Sequence, residues 1–301
     1  MGLTIVKMTA NVVLDAWIAS FRTLRNCPRI FIPFIITAFF EFIALLLIYY
    51  SPRQPLVVFL GPPITRFWGG KYLHYPFNFV LMPKLLFYSQ TLISIFVGSL
   101  MTAVAVYLIW QSISLNNRQR ILPAIKKTLP RYLGVIVAIF INLILIWLYF
   151  KFENKFENKL LVKLFAENPT KKILFIGVQG WRQIGFYFGI LVTIIIDTLF
   201  VYVIPIIIIE RRSVFMAIIR SITFAIRNFT VSFFIVAIPI LFYLPIIILK
   251  GKMSILMDKF IPEVTLYILT CGILLTMLIN CWITALSVHV FITRRKVSEV
   301  K

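Results

Sequence analysis

Two acidic side chains stand in stretches that otherwise hold almost nothing polar. Asp197 falls in TIIIDTLFVYVIPIIII and Glu41 in FIITAFFEFIALLLIYY, and neither stretch contains a lysine or arginine. An ionised carboxylate in such surroundings costs several kcal/mol unless it is paired, so each acid is either protonated or partnered across helices. Amides in other apolar runs could serve, and for Asp197 they are Asn280, Gln90 or Asn142. Ionisable groups at membrane depth are functional candidates by default, with a structural hydrogen bond as the competing account.

Other chemistry has little support. Cys27, Cys271 and Cys281 form no C-x-x-C pair, and neither His74 nor His289 has a clustered acid or thiol beside it in sequence, so no metal site is expected. Gly98-Ser99 lacks the frame of a nucleophile elbow, and no phosphate-cradling glycine motif occurs. No catalytic residue and no cofactor is expected, and the chain reads as non-enzymatic.

The elements that must position these groups follow from composition. A chain of 301 residues that is 61% hydrophobic and 14% charged holds more apolar matter than one water-soluble core can hide. Apolar runs long enough to span lipid lie near 30–50, 86–110, 132–150, 184–209, 229–249 and 266–292. The first reads as a retained span and not as a signal peptide, because no small-residue cleavage site follows it. Six crossings put both termini on one side, with 111–131 and 210–228. That side carries 17 of the 31 lysines and arginines, and twelve of the fifteen arginines, so it is read as the cytoplasmic side. The net charge of +21 is spread beside apolar runs rather than gathered in a soluble basic region, so anionic phospholipid is the expected partner and nucleic acid is not.

The cytoplasmic segments carry a pattern of their own. In VFMAIIRSITFAIRNF, Phe215, Ile218, Ile219, Ile222, Ile226 and Phe229 recur at helical spacing, opposite Arg220, Thr223 and Arg227. This predicts an amphipathic helix along the interface, with cations among phosphates. The N-terminal stretch repeats it with Trp17, Ile18, Phe21 and Leu24 against Asp15, Arg22 and Arg29, and Ala16 and Ser20 match Ala217 and Ser221. A third, poorer copy around 121–131 keeps Ala124 and Thr128. The candidate headgroup ligands are Arg22, Arg25, Arg29, Lys126, Lys127, Arg131, Arg211, Arg212, Arg220 and Arg227.

Spans two, four and six each hold an i+4 row: Gln90, Ser94, Gly98, Thr102; Gly185, Gly189, Thr193, Asp197; Gly272, Thr276, Asn280, Thr284. Small residues on one ridge let helices approach closely in lipid, so the even-numbered spans are expected to pack together. The predicted fold is all-α, a polytopic membrane protein forming one membrane domain over 1–301. Its six transmembrane helices form three hairpin units, near 11–110, 111–209 and 210–292, each led by an interfacial helix. Prolines at 33, 205, 239 and 245 are read as kinks. Of the outer loops, 51–85 reads as an irregular, proline-rich aromatic cap, and KFENKFENKLLVKLF as a surface-lying helix with Phe152, Phe156, Leu160 and Leu164 on one stripe.

Around PIIIIERRSVFMAIIRSITFAIRNF the chain resembles a bacterial class of six-span proteins, on Pro205, Glu210, Ser213, Phe215, Ala217, Ser221 and Arg227-Asn228. That class includes the YciC-like inner-membrane proteins and the membrane region of certain glycerophosphodiester phosphodiesterases. The resemblance implies a membrane module in the bacterial inner membrane and carries over no catalytic position. The expected role is to organise lipid or a membrane protein partner through basic interfacial helices. The alternative is a small-solute or lipid permease using Asp197.

Overall fold

The computed structural model describes residues 2–115, 120–167, 172–252, 255 and 259–299, and among them no residue is in a strand. Six helices are long and apolar enough to cross a membrane: Pro28–Tyr49, Phe77–Ser114, Ile121–Glu153, Tyr187–Ile209, Phe229–Gly251 and Val264–Arg295. The chain is an all-α, multi-pass membrane protein.

The first crossing, α2 (Phe31–Tyr49), follows a 25-residue helix α1 (Gly2–Asn26). The segment read as an irregular cap is largely helical: α3 spans Leu56–Trp68 with Pro62 and Pro63 inside it, and α4 begins at Phe77. The second crossing is therefore longer than expected, α4 (Phe77–Ile93) passing through a π turn at Ser94–Gly98 into α5 (Ser99–Leu115). Next come α6 (Ile121–Thr128) and α7 (Tyr132–Glu167), whose 36 residues take in the segment expected to lie separately on the surface. Lys, Glu, Phe and Leu all propagate a helix, so polarity there marks where apolar character ends and not where the helix ends. The stripe beyond Phe152 has side chains outside the described residues.

The fourth crossing breaks. Helix α8 (Lys172–Phe200) stops, and α9 (Val203–Ile209) starts after a turn at Val201–Tyr202. Pro205 is the cause: it has no N–H for the carbonyl of Val201, and its ring crowds that carbonyl. By contrast α11 (Phe229–Gly251) runs on through Pro239 and Pro245, and the last helix, α12 (Val264–Glu299), is unbroken. Between the fourth and fifth crossings lies α10 (Val214–Arg227).

Helix α2 packs on α4 and α12, α7 on α8, and α11 on α12 and α8, while α5 touches α2, α7, α9 and α12. Ala103, Val104, Ala105, Val106, Leu108 and Ile109 are all buried, so α5 is closed off on every side and forms the axis of the body. The i+4 rows do not meet as dry ridges. A Cβ at Gly185 or Gly189 would meet Glu153 or Phe150 of α7 at 3.2 Å, and one at Gly272 would meet Ile246 of α11 at 3.2 Å. The glycines let neighbouring helices approach, and Ser94, Thr102, Asp197, Asn280 and Thr284 of the rows surround a hollow instead.

Candidate functional site: an intramembrane polar chamber and a basic helical collar

The hollow lies between α5, α7, the α8–α9 break, α11 and α12, with a volume of about 340 Å³. Its polar wall comes from Ser94, Thr102, Asn142, Asp197, Asn280, Thr284 and Ser287. Asp197 is enclosed by protein yet keeps accessible surface, and that surface faces the chamber. Asn142 of α7 donates from Nδ2 to Asp197 Oδ1 at 3.0 Å, so of the three amides considered, Asn142 is the partner. Among the described residues no lysine, arginine or histidine lines the chamber. One amide hydrogen bond to a charged group returns about 1.5–3 kcal/mol, less than burying a carboxylate costs. The remainder falls to water in the chamber, a proton or a bound cation.

Glu41 is held differently. Gln90 of α4 donates from Nε2 to Glu41 Oε2 at 2.7 Å, which ties the first crossing to the second. A smaller hollow of about 40 Å³ adjoins Glu41 and shares Ser94, Thr102 and Asn280 with the chamber. The π turn at Ser94–Gly98 lies where the two meet, and such turns occur often at functional sites. Ser287, not singled out in the sequence, belongs to the wall because it stands one helical turn beyond Thr284 on α12.

The irregular backbone around this region is satisfied by side chains from the segments beside it. Where α8 ends, the carbonyl of Leu199 accepts from Ser221 Oγ of α10 at 2.6 Å. Near the end of α9, the carbonyl of Ile207 accepts from Arg131 Nη1 at 3.1 Å. Within the π turn, the carbonyl of Phe96 accepts from Tyr132 Oη at 2.6 Å. At the break itself Tyr202 is fully buried and its hydroxyl meets Ser232 Oγ at 2.9 Å. A broken helix inside an apolar body is tolerated only when such partners exist.

The basic residues form a collar on one end. Arg22, Arg25, Arg29, Lys126, Lys127, Arg211, Arg212 and Arg227 are exposed. Arg220 is exposed but also paired, 2.9 Å from the buried carboxylate of Glu210, and Arg131 is spent on the Ile207 carbonyl. Arg25 lines an apolar groove of about 490 Å³ with Phe21, Phe242 and Trp282. Helix α10 presents three sectors. Ala217, Ser221 and Ala225 are fully buried, Phe215, Ile219 and Ile226 are 74%, 62% and 62% exposed, and Arg220, Thr223 and Arg227 occupy the remaining exposed side.

Helix α1 divides the same way, with Ser20 and Leu24 buried, Leu14, Ile18 and Phe21 exposed, and Asp15, Arg22 and Asn26 on the third sector. Helix α6 buries Ala124 and Thr128 and exposes Leu122, Lys126 and Lys127. His289 lies 2.9 Å from Thr23 and so joins α12 to α1.

Comparison of the chain with protein-family models, with curated proteins and with solved structures gives no match.

Proposed function

We propose that this multi-pass protein is non-enzymatic and gathers anionic phospholipid, or a membrane protein partner, through the basic helices α1, α6 and α10. We place it in a bacterial inner membrane with both termini in the cytoplasm. The observation that carries the reading is the three-way division of α10. Its small residues face the protein, its large apolar residues have no protein over them, and its arginines border that apolar strip. A helix so divided is at rest only where lipid tails, headgroups and protein meet. The same division on α1 and the resemblance of residues 205–228 to the YciC-like class support it.

The test is lipid retention by the full chain purified in neutral detergent and offered phosphatidylglycerol and phosphatidylcholine in equal amounts. Each cation at an anionic surface contributes about 1 kcal/mol. Replacing Arg22, Arg25 and Arg227 together by glutamine is therefore expected to lower the preference for phosphatidylglycerol about a hundredfold. Equal retention of the two lipids by the unaltered protein would sink the proposal.

A second reading, a small-solute or lipid permease, is favoured by the chamber at Asp197. It requires that vesicles containing the protein exchange a solute across the bilayer and that Asp197→Asn stop the exchange. An impermeable vesicle with correctly folded protein excludes it.

A further inference from the structure

The protons around the chamber are unevenly distributed. Thr284 Oγ1 gives its hydrogen to the carbonyl of Asn280 at 2.7 Å, and Ser287 Oγ gives its hydrogen to the carbonyl of Thr284 at 2.9 Å. Both hydroxyls are left with lone pairs only. Asn142 has placed an amide hydrogen on Asp197, and its own Oδ1 is buried without a partner. Asp197 when ionised can only accept. Three residues of the wall, Asp197, Thr284 and Ser287, therefore offer acceptors and no hydrogen, Asn142 adds an unpartnered Oδ1 beside one remaining N–H, and among the described residues no basic side chain lines the space. The volume of about 340 Å³ lies in the range of small-ligand sites.

We propose that the chamber is a binding site for a small cation rich in hydrogen-bond donors, either a protonated primary amine or a monovalent metal ion carrying part of its water. An anion is refused by Asp197. A neutral ligand can use the hydrogens of Ser94, Thr102 and Asn280 but does not answer the charge of Asp197, and a quaternary ammonium brings charge but no N–H for Asn142, Thr284 and Ser287. The inference concerns the interior of the helical body and stands apart from the lipid contacts of its collar.

Thermal unfolding of the full chain in neutral detergent tests it, with tetramethylammonium chloride as background salt replaced stepwise, at constant ionic strength, by sodium chloride or by methylammonium chloride. A saturable rise in Tm with a midpoint of about 10 mM or lower is expected for at least one of them. Sodium alone identifies the metal ion, and a response to methylammonium identifies the amine. Asp197→Asn is expected to abolish the rise. Asn142→Leu and Thr284→Val, which leave the carboxylate in place, are each expected to raise the midpoint about tenfold. Two results overturn the proposal. One is a Tm unmoved by either exchange, as expected of an acid that keeps its own proton. The other is a saturable rise that survives in every variant that folds, since the cation then binds elsewhere.

Discussion

Ser221 shows how much one small side chain holds in place. It is fully buried, and its hydroxyl is the partner of a carbonyl that α8 loses where Pro205 ends the regular ladder. Removing the hydroxyl leaves Leu199 O in an apolar setting, for which the cost is about 1–3 kcal/mol. For a chain of this size Ser221→Ala is expected to lower Tm by several degrees, about 2–4 °C for each kcal/mol. Thr223→Ala removes a similar hydroxyl, bonded to the carbonyl of Ile219 on the exposed side of the same helix. There water or headgroups take over, and a change within about 0.5 kcal/mol is expected. Equal changes in the two variants, read by thermal unfolding, would show that the Ser221 hydroxyl does not act as a cap for α8.

At the scale of elements, α10 is held by the fit of its small residues. Ala217 and Ala225 flank Ser221 on the face against α8 and α9, with no exposed surface. Leucine at either position overfills a closed contact and is expected to cost about 1–3 kcal/mol. Ile219→Ala on the uncovered sector is expected to leave Tm within about 0.5 kcal/mol in stability terms. Both follow from thermal unfolding in detergent.

The same helix shows what a sequence tells and what it withholds. Its 3.6-residue period is visible, and so is the row Ala217, Ser221, Ala225, but periodicity does not say which side a protein covers and which side lipid covers. Ile218 and Ile222, grouped with the exposed isoleucines by spacing, turn out to be half-buried. Hydropathy alone does not locate the ends of the elements. Helix α7 passes through a change of polarity that its backbone does not register, and α3 forms despite Pro62 and Pro63, in contact with the turn at Gly70–Leu73. The chamber was legible only in part. Both acids and all three amides stood out as polar groups in apolar runs. The pairing of Gln90 with Glu41, and of Asn142 with Asp197, depends on helix neighbours and depth, which spacing within one helix does not contain.

For the whole molecule the proposed orientation rests on the collar. Arg22, Arg25, Arg211, Arg212 and Arg227 share one end with the α1–α2, α5–α6 and α9–α10 junctions, while the opposite end carries α3, the turn at Gly70–Leu73 and the aromatic residues Phe67, Trp68 and Tyr75. Arginine in short connections is retained on the cytoplasmic side during insertion, and aromatic rings settle at either interface without choosing one. The proposed orientation, with the arginine end inward, follows from that rule. Two single-cysteine proteins test this in a bacterial host, each made with Cys27, Cys271 and Cys281 replaced by serine: Lys71→Cys in the turn after α3, and Arg212→Cys between α9 and α10. Both native positions are exposed. A membrane-impermeant maleimide added to intact cells is expected to label the first and not the second, and to label both after the membrane is opened. Labelling of Arg212→Cys alone in intact cells would invert the protein and place its arginines in the outer leaflet. The attraction of the collar for the anionic inner leaflet would then have no physical basis.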